Sequence, residues 1–493
     1  MCYSRETRLW CRKRRWLNNM TSWNTIRLGL LLVAVGAYAT VHASAQSTVQ
    51  DNTQVPGSTQ SSGTVPAPAF GQNIPILNPE NPPLSGLDEP NLQLRTASRS
   101  FISPAIQVGE SGDSNAANQL NGSNSEAVSH VLGALDLQKF WPKSDFFLEY
   151  LGGAAFGNDP YYARQLQAAG LEAVTRWRTG QVTLRDGFRY LPDGNFYAVS
   201  AGGLPGYGIA TGVLGLGLPG LFHLEEASVG SIPRLSNTAA LDVVQAITPR
   251  SAFTVIGAYA NDHFFHNTDN LVNGDETTVE GGYSHLVSRH DQIALVYAFQ
   301  LFRFPLNTGG EIYNNILNVR WSHVITGRLS FIGEVGPQYT DLLYGLHYTE
   351  WSPVGRAVVR YRFQHTSLRA SYEKFTSEGS GFFAGADTQV ATITANRPLG
   401  RTYDFVADAG YSHNQRLQPL VVAGVGANTY NEGFAGAVLR KHLGRTWDAI
   451  LAYRFAEVAF NVPVALGGVV GRTNQRQVGT IALEWHPKAV RIE

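Results

Sequence analysis

The sequence is poor in sulfur, with two cysteines and two methionines among its 493 residues. All four (Met1, Cys2, Cys11 and Met20) lie within the first 20 positions. The rest of the chain can therefore form no disulfide and offers no thiolate to a metal ion. It must be stabilised by hydrogen-bonded structure and by the burial of apolar surface.

An excess of charge is also missing, because 38 Lys and Arg residues stand against 38 Asp and Glu residues. Residues 1–45 hold seven of the basic and one of the acidic residues, which leaves 31 against 37 afterwards. This balance excludes a nucleic-acid binder. Long apolar runs are lacking too. The best candidate beyond residue 45 for a membrane helix, residues 202–222, contains eight glycines and two prolines, which disfavour a helix.

Two N-terminal segments precede the predicted fold. Residues 1–45 are predicted to be a signal peptide, because seven basic residues precede an apolar segment at 28–41 and the small residues Ala43-Ser44-Ala45. The alternative to a signal peptide is an uncleaved membrane anchor, but the apolar segment is too short to span a bilayer as a stable helix. Translation could also start at Met20, which would give a shorter signal peptide. Residues 46–94 carry eight of the 23 prolines and no Lys or Arg, which predicts a disordered periplasmic linker able to contact a periplasmic partner.

A short turn signal recurs along the chain at a nearly regular interval. Neighbouring signals lie about 35 to 44 residues apart, with one gap of about 70 residues. Each is flanked by roughly ten to fourteen residues that alternate between large apolar and small or polar side chains, which predicts long β-hairpins. The signals are Trp141-Pro142-Lys143, Thr179-Gly180, Thr248-Pro249-Arg250, Ser288-Arg289-His290, Thr326-Gly327-Arg328, Gln364-His365-Thr366, Pro398-Leu399-Gly400-Arg401 and Leu443-Gly444-Arg445.

The alternation predicts that one face of nearly every strand meets an apolar surrounding. Between residues 293 and 301, Leu295 and Tyr297 share a face, whereas Ala294 and Val296 share the other. No helical segment is predicted that would cover the large residues, so lipid is the simplest partner for them. Residues 95–493 are therefore predicted to form an all-β, antiparallel, up-and-down transmembrane barrel in the outer membrane, where the barrel-insertion machinery would place it.

The turns also predict the number of strands. Eight hairpins and a last strand at about residues 474–486 make 17 strands, and residues 99–109 supply the further strand that an even number requires. We therefore expect 18 strands, or 16 if a weak hairpin fails, with residues 165–190 the weakest. A soluble β-propeller is the rival fold, but its blades would show turn signals about every ten residues.

Three motifs within this pattern support a resemblance. They are residues 148–153 (Leu-Glu-Tyr-Leu-Gly-Gly), Arg176-Trp177 and residues 185–192 (Arg-Asp-Gly-Phe-Arg-Tyr-Leu-Pro). The chain resembles the porin-like outer-membrane β-barrels of Gram-negative bacteria, and more narrowly a group of exported barrels, over roughly residues 95–487. The resemblance implies the fold and no particular activity.

Charged residues on the face opposite the large apolar ones are the candidate functional residues. Two interpretations stay open for them: fixed charges that set the solute preference of a pore, or Arg–carboxylate braces that hold the wall. The candidates are Arg176, Arg178, Arg185, Arg189, Arg320, Arg360, Arg362, Arg369, Arg454, Glu149, Glu334, Glu373, Asp404 and Asp408.

Other candidate sites have weaker signals. The long interruption at residues 191–236 could fold inward as a constriction, cover the mouth or hide a strand pair. Residues 262–276 contain His263 and His266 among acidic residues, but a solvated loop is favoured over a metal site. No Gly-x-Ser-x-Gly motif occurs, and Ser284 and His285 are adjacent, so a hydrolase has no catalytic residues that we can name.

The sequence thus leads to a diffusion channel with a charged lumen and no cofactor. An export or docking barrel for a polymer such as an exopolysaccharide, working with periplasmic partners through residues 46–94, is the alternative. An outer-membrane hydrolase is a minor alternative.

Overall fold

The computed structural model describes residues 100–157, 164–191, 233–265, 271–304, 310–344, 346–363, 366–379, 381–417, 427–466 and 469–492. The predicted signal peptide (1–45) and linker (46–94) lie outside these residues, as does most of the interruption at 191–236. No helix in the described part of the chain is long and apolar enough to span a bilayer.

The described residues contain 19 strands, of which the last is two residues long. In chain order they are β1 Phe101–Asp113, β2 Glu126–Phe140, β3 Ser144–Phe156, β4 Arg164–Trp177, β5 Gly180–Leu191, β6 Arg234–Thr248, β7 Ser251–Phe264, β8 Gly274–Leu286, β9 Asp291–Phe304, β10 Gly310–Thr326, β11 Leu329–Tyr344, β12 Leu346–Arg362, β13 Ser367–Ser377, β14 Ala386–Leu399, β15 Tyr403–Arg416, β16 Thr429–His442, β17 Trp447–Leu466, β18 Val469–Trp485 and β19 Val490–Arg491.

Strands β1 to β18 form one closed antiparallel wall, in which each strand pairs with its neighbours in sequence. The wall closes where β1 pairs with β18, from Ile106 opposite Trp485 to Asp113 opposite Val478. The short β19 then continues along β1, with Ile102 opposite Val490. Closure leaves no sheet edge at this seam, as a membrane barrel requires.

The strand prediction is confirmed, including its count of 18 and a pair of strands flanking each of the eight turn signals, of which Gln364 and His365 lie outside the described residues. The first strand, Phe101–Asp113, overlaps the predicted 99–109 and ends four residues later. The weakly patterned β4 and β5 are both present. The eight connections at one end of the wall are all two to four residues long. At the other end most connections are longer, although one residue joins β11 to β12 and two join β17 to β18. Short turns belong on the periplasmic side, so the other end is extracellular.

The two faces of the wall differ as the alternation predicts. On β9 the large side chains of Leu295 and Tyr297 are exposed, whereas Ala294 and Val296 are buried. On β17 Tyr453 is exposed and Ala452 is buried. Since the wall is closed, the exposed large residues form its outer surface and the small and polar residues its inner surface. The outer surface suits lipid.

Tryptophan marks the periplasmic interface on the outer surface. All of the described tryptophans are exposed, and five of the six lie on strands or turns near the short-turn end: Trp141, Trp177, Trp321, Trp447 and Trp485. Indole rings favour the level of the lipid headgroups, where their apolar body and their N–H group are both accommodated. The sixth, Trp351, lies toward the extracellular end of β12.

A charge on the outer face should destabilise the barrel far more than the same charge inside. Ile393 on β14 is half exposed on the outer face, whereas Val390 lies on the inner face opposite Glu373. If Ile393 lies near the bilayer midplane, Ile393→Arg should lower the free energy of unfolding in lipid vesicles by about 2 to 4 kcal/mol. Val390→Arg should cost much less, because a carboxylate faces it. Equal losses in denaturant titrations would contradict the assignment of the faces.

Candidate functional site

The inner face near the periplasmic end of β3 to β5 carries two buried ion pairs. Arg176 on β4 donates from Nη1 to Oδ2 of Asp145 on β3, at 2.7 Å. Arg185 on β5 donates from Nε to Oε2 of Glu172 on β4, at 3.0 Å. Each pair joins neighbouring strands. Guanidinium and carboxylate groups in such contact form strong charge-assisted hydrogen bonds, so these arginines brace the wall.

Arg320 on β10 is the centre of a larger buried cluster. Its guanidinium donates to both carboxylate oxygens of Glu280 on β8, at 2.9 and 3.0 Å. It also contacts Glu334 on β11, at 2.9 Å. To reach β8 the side chain must cross β9, whose inner-face residues Ala294 and Ala298 are small. The small residues on β9 therefore leave the space through which the Arg320 side chain reaches Glu280.

Arg454 on β17 reaches over β16 to Asp408 on β15, with Nη1 2.7 Å from Oδ2. The residue between them is Gly436, which is in register with both. A Cβ at this position would lie 2.9 Å from Oδ1 of Asp408 and 3.1 Å from Nη1 of Arg454. The glycine thus leaves the space that the ion pair fills. The Arg454 guanidinium also lies over the ring of Phe434, 4.6 Å from its centre.

One buried pair lies across the seam where the barrel closes, and the sequence did not reveal it. Arg476 on β18 donates from Nη2 to Oδ2 of Asp113 on β1, at 2.6 Å, and both side chains are about 1 % exposed. The two residues are 363 positions apart. Alternation alone puts each on the inner face, but only the closure of β18 onto β1 brings them together.

The remaining candidates occupy three kinds of position. Glu373 faces Arg356 at 3.8 Å, and Asp404 faces Nε2 of His442 at 2.9 Å. Arg178 and Arg362 are exposed at the periplasmic end, at or beside a turn. By strand alternation the inner face also holds Glu149, Arg189, Arg360 and Arg369, all partly buried.

At the periplasmic end His442 joins Asp404 to a buried carboxylate. Its Nδ1 lies 2.8 Å from Oδ1 of Asp448, and its Nε2 lies 2.9 Å from Oδ2 of Asp404. Arg440 approaches the same Asp448 at 3.6 Å and Glu484 at 3.8 Å. This network links the last four strands of the barrel at their periplasmic ends. It holds the wall together where β18 ends.

The extracellular mouth is occupied by the tip of the β13–β14 hairpin. We call residues 376–379 and 381–387 the mouth hairpin. The backbone N–H of Val272, from the β7–β8 connection, donates to the carbonyl of Gly381, at 2.8 Å. A Cβ built on Gly274, at the start of β8, would lie 3.6 Å from Cβ of Glu378. Strands β8 and β13 are not neighbours in the wall, so the hairpin reaches across the mouth.

Aromatic side chains fix the tip of the mouth hairpin. The ring of Phe382 lies 5.3 Å from Tyr430 and 5.2 Å from Phe460, centre to centre. Phe383 is buried against Tyr430, and the Arg416 guanidinium lies 4.6 Å from its ring centre. Two apolar clusters therefore meet in the mouth. The first contains Leu120, Phe264, Leu271, Phe383, Tyr430 and Phe460, and the second Phe302, Phe304, Ile312, Leu342 and Ala384.

The inward segment seen here differs from the one that the sequence suggested. The expectation for residues 191–236 falls largely outside the described residues, whereas the segment near Gly379 was expected only to be an extracellular loop and not to fold inward. A signal for it exists in the sequence. Its tip carries adjacent phenylalanines between glycines, and Gly379, Gly381 and Gly385 have φ values of 93°, 79° and 86°. Exposed loops are usually polar, so two phenylalanines in one indicate an inward fold.

The described part of the suggested metal loop is engaged in other contacts. Asp262 is ion-paired with Arg234 at 3.1 Å, and Asp275 accepts from Asn261. Asp262 is buried on the inner face, whereas Asp275 lies on the outer face. Among the described residues no group of three or more His, Cys, Asp and Glu residues could hold a metal ion. His266 and Asp269 lie outside those residues.

A serine and a histidine do meet, although not the pair that adjoins in sequence. Ser284 is buried and His285 exposed, on opposite faces of β8 as expected. Nδ1 of His285 instead lies 2.9 Å from Oγ of Ser251, which also accepts from the Tyr283 hydroxyl at 3.0 Å. Within the described residues we find no carboxylate bonded to His285, so nothing there completes a triad.

The closed wall, its lipid-facing exterior and its ion-paired interior define a transmembrane β-barrel. No protein-family model and no curated protein sequence matches the chain. Solved structures do. Pseudomonas aeruginosa OpdO has 13 % identity over 80 % of this chain and 98 % of that chain, with a TM-score of 0.39. OccK2 (OpdF) of the same species, in complex with glucuronate, has 10 % identity, coverages of 78 % and 97 %, and a TM-score of 0.39. Similarity at this level carries no argument about function.

Breaking one buried ion pair should cost much more than breaking an exposed one. Asp408→Asn leaves the Arg454 charge buried without a counter-ion and should lower the free energy of unfolding by about 3 to 5 kcal/mol. The control is Asp387→Asn, which removes the partner of Lys374 in a pair that is 3.1 Å long and about a quarter exposed. It should cost about 1 kcal/mol or less. Similar losses in denaturant titrations would show that the lumen pairs do not brace the wall.

Proposed function

We propose that the chain is a diffusion channel of the bacterial outer membrane. The observation that supports this most directly is the closed 18-stranded wall of the described residues, apolar outside and charged inside. Barrels of 16 to 18 strands are wide enough to enclose an aqueous channel, whereas eight-stranded ones are filled by side chains. A polar and charged inner face suits a barrel whose interior holds water.

The charged candidates divide into braces and selectivity residues. Arg176, Arg185, Arg320 and Arg454 each contact a carboxylate, so their charge is locally compensated. They would keep the wall rigid and contribute little net field. This favours the brace interpretation for these four residues.

Arg360 and Arg369 are candidates for selectivity residues because two arginines adjoin there, whatever other contacts each of them makes. They are direct register partners on β12 and β13 and are both partly buried on the inner face near the periplasmic exit. Two positive charges side by side raise the local potential, which favours anionic solutes at that point.

The polymer-export alternative depends on residues 46–94, which lie outside the described residues, and stays a hypothesis. Deleting these residues separates the two functions. A diffusion channel keeps its conductance without the linker, whereas an export barrel loses the contact with its periplasmic partners. The proposal includes no catalytic step and no cofactor.

Conductance in planar lipid bilayers tests the proposal. Purified protein whose gel mobility changes on heating, as a folded barrel's does, should give discrete current steps. In a salt gradient the reversal potential should show a preference for anions. Replacing both Arg360 and Arg369 by Gln should move that potential toward the cation side, while Arg250→Gln, at an exposed periplasmic turn, should leave it unchanged. Folded protein that gives no current at any voltage, with or without the mouth hairpin, would contradict a channel.

A further inference from the structure

One stretch of the wall has a strand edge with which no described strand pairs. Pairing between β12 and β13 ends with Gly355 opposite Lys374, yet β12 continues to Leu346 in full register with β11. Within the described residues, no strand pairs with the other edge of residues 346–354. Residues 347–351 are all exposed, whichever face they lie on. An open edge of this kind can pair with any extended segment that reaches it.

The mouth hairpin is the part of β13 and β14 that lies beyond the last pair with β12. Strand β13 stays paired with β14 up to Ser377 opposite Ala386, so the hairpin is intact where it separates from β12. It separates inward: Gln338 on β11 donates from Nε2 to Oγ1 of Thr376, at 2.5 Å. That contact places the top of β13 on the inner side of β12. The hairpin and the open edge are therefore two parts of one interrupted wall.

The observed register predicts how the two parts would fit together. Continuing the β12–β13 ladder upward from the pair Gly355–Lys374, residue by residue, brings Trp351 opposite Glu378. In that position Glu378 would lie on the outer side, beside Trp351 near the extracellular end of β12. Phe382 and Phe383 would leave the mouth with the tip. New backbone hydrogen bonds along β12 would then take the place of the aromatic packing in the mouth.

Glycines at the tip permit the change of direction. Gly379 and Gly385 flank the phenylalanines and adopt positive φ values of 93° and 86°. A side chain at either position would be strained in the inward form, whereas glycine adopts both this conformation and an extended one. A Cβ on Gly379 would also lie 2.6 Å from the carbonyl oxygen of Phe383. The inward turn therefore depends on glycine, and glycine equally permits its release.

We propose that the mouth hairpin is a two-position gate that closes the mouth in the position seen here and opens it by pairing with the free edge of β12. The effect of the gate on solute passage rests on the proposed channel function, but the movement of the hairpin can be measured separately. The occupant of the β12 edge is then a segment of the same chain rather than a second protein. In the closed form residue 378 lies beside Gly274 on β8, and in the open form it would lie beside Trp351 on β12.

One cysteine, at position 378, can report both positions, because the only native cysteines are Cys2 and Cys11 in the predicted signal peptide. Gly274→Cys with Glu378→Cys should form a disulfide in the closed position, since the corresponding Cβ separation is 3.6 Å, within the usual range. Trp351→Cys with Glu378→Cys should form one only in the open position. Ala357→Cys with Tyr372→Cys, which are paired in the wall, is the control that forms in both.

Disulfide formation is scored by gel mobility after mild oxidation, and conductance is measured on the same samples. The closed pair should abolish most current steps until reductant is added, the open pair should hold the channel open, and the control pair should leave the current as in the native chain. Failure of the Trp351–Glu378 pair to form while the control pair forms would overturn the gate. So would a disulfide that joins two chains through Trp351→Cys, since the edge would then belong to a second copy. If both gate pairs form and no sample conducts, the movement stands and the channel function fails.

Discussion

Closure of the backbone hydrogen-bond ladder is the constraint on which the rest of this structure depends. In lipid, a peptide group without a partner costs several kcal/mol, so a sheet can cross the membrane only if it has no edge there. The pairing of β1 with β18 removes that edge, and β19 extends the seam by two residues. Once the wall is closed, alternation along each strand necessarily separates an outer from an inner surface. The Arg476–Asp113 pair then reinforces the seam from inside.

The composition of the inner face follows from the size of the guanidinium group. An arginine that reaches a carboxylate two strands away needs small residues beneath it, which Gly436 provides below Arg454 and Ala294 and Ala298 provide below Arg320. The pairs of Arg320 with Glu280 and of Arg454 with Asp408 are built in this way, whereas those of Arg176, Arg185 and Arg476 join neighbouring strands. In a channel built on such a wall, a few residues would set the solute preference, and the mouth would control the entry of solutes. The open edge of β12 lies toward that mouth, at the extracellular end of the strand.

The sequence predicts the wall much better than it predicts the mouth. The turn signals and the alternation around residues such as Leu295 and Tyr453 depend on local geometry, so strand number and face assignment follow directly. The buried pair of Asp408 and Arg454 needs the register of three strands, and that of Asp113 and Arg476 needs closure of the barrel. The mouth hairpin is harder still, because Phe382 packs against residues of β16 and β17 that no local pattern connects to it. The sequence shows the glycines and phenylalanines of the hairpin, but it does not show which residues they pack against.

Cysteine accessibility on intact cells tests the central claim, that this chain is a closed barrel whose short turns face the periplasm. His347 lies exposed near the extracellular end of β12, and Arg328 lies exposed in the turn between β10 and β11. The predicted mature chain has no cysteine of its own, so a single substitution gives no background. An impermeant thiol reagent should label His347→Cys on intact cells, and should label Arg328→Cys only after the outer membrane is permeabilised. Labelling of both positions on intact cells, or of Arg328→Cys alone, would contradict the topology.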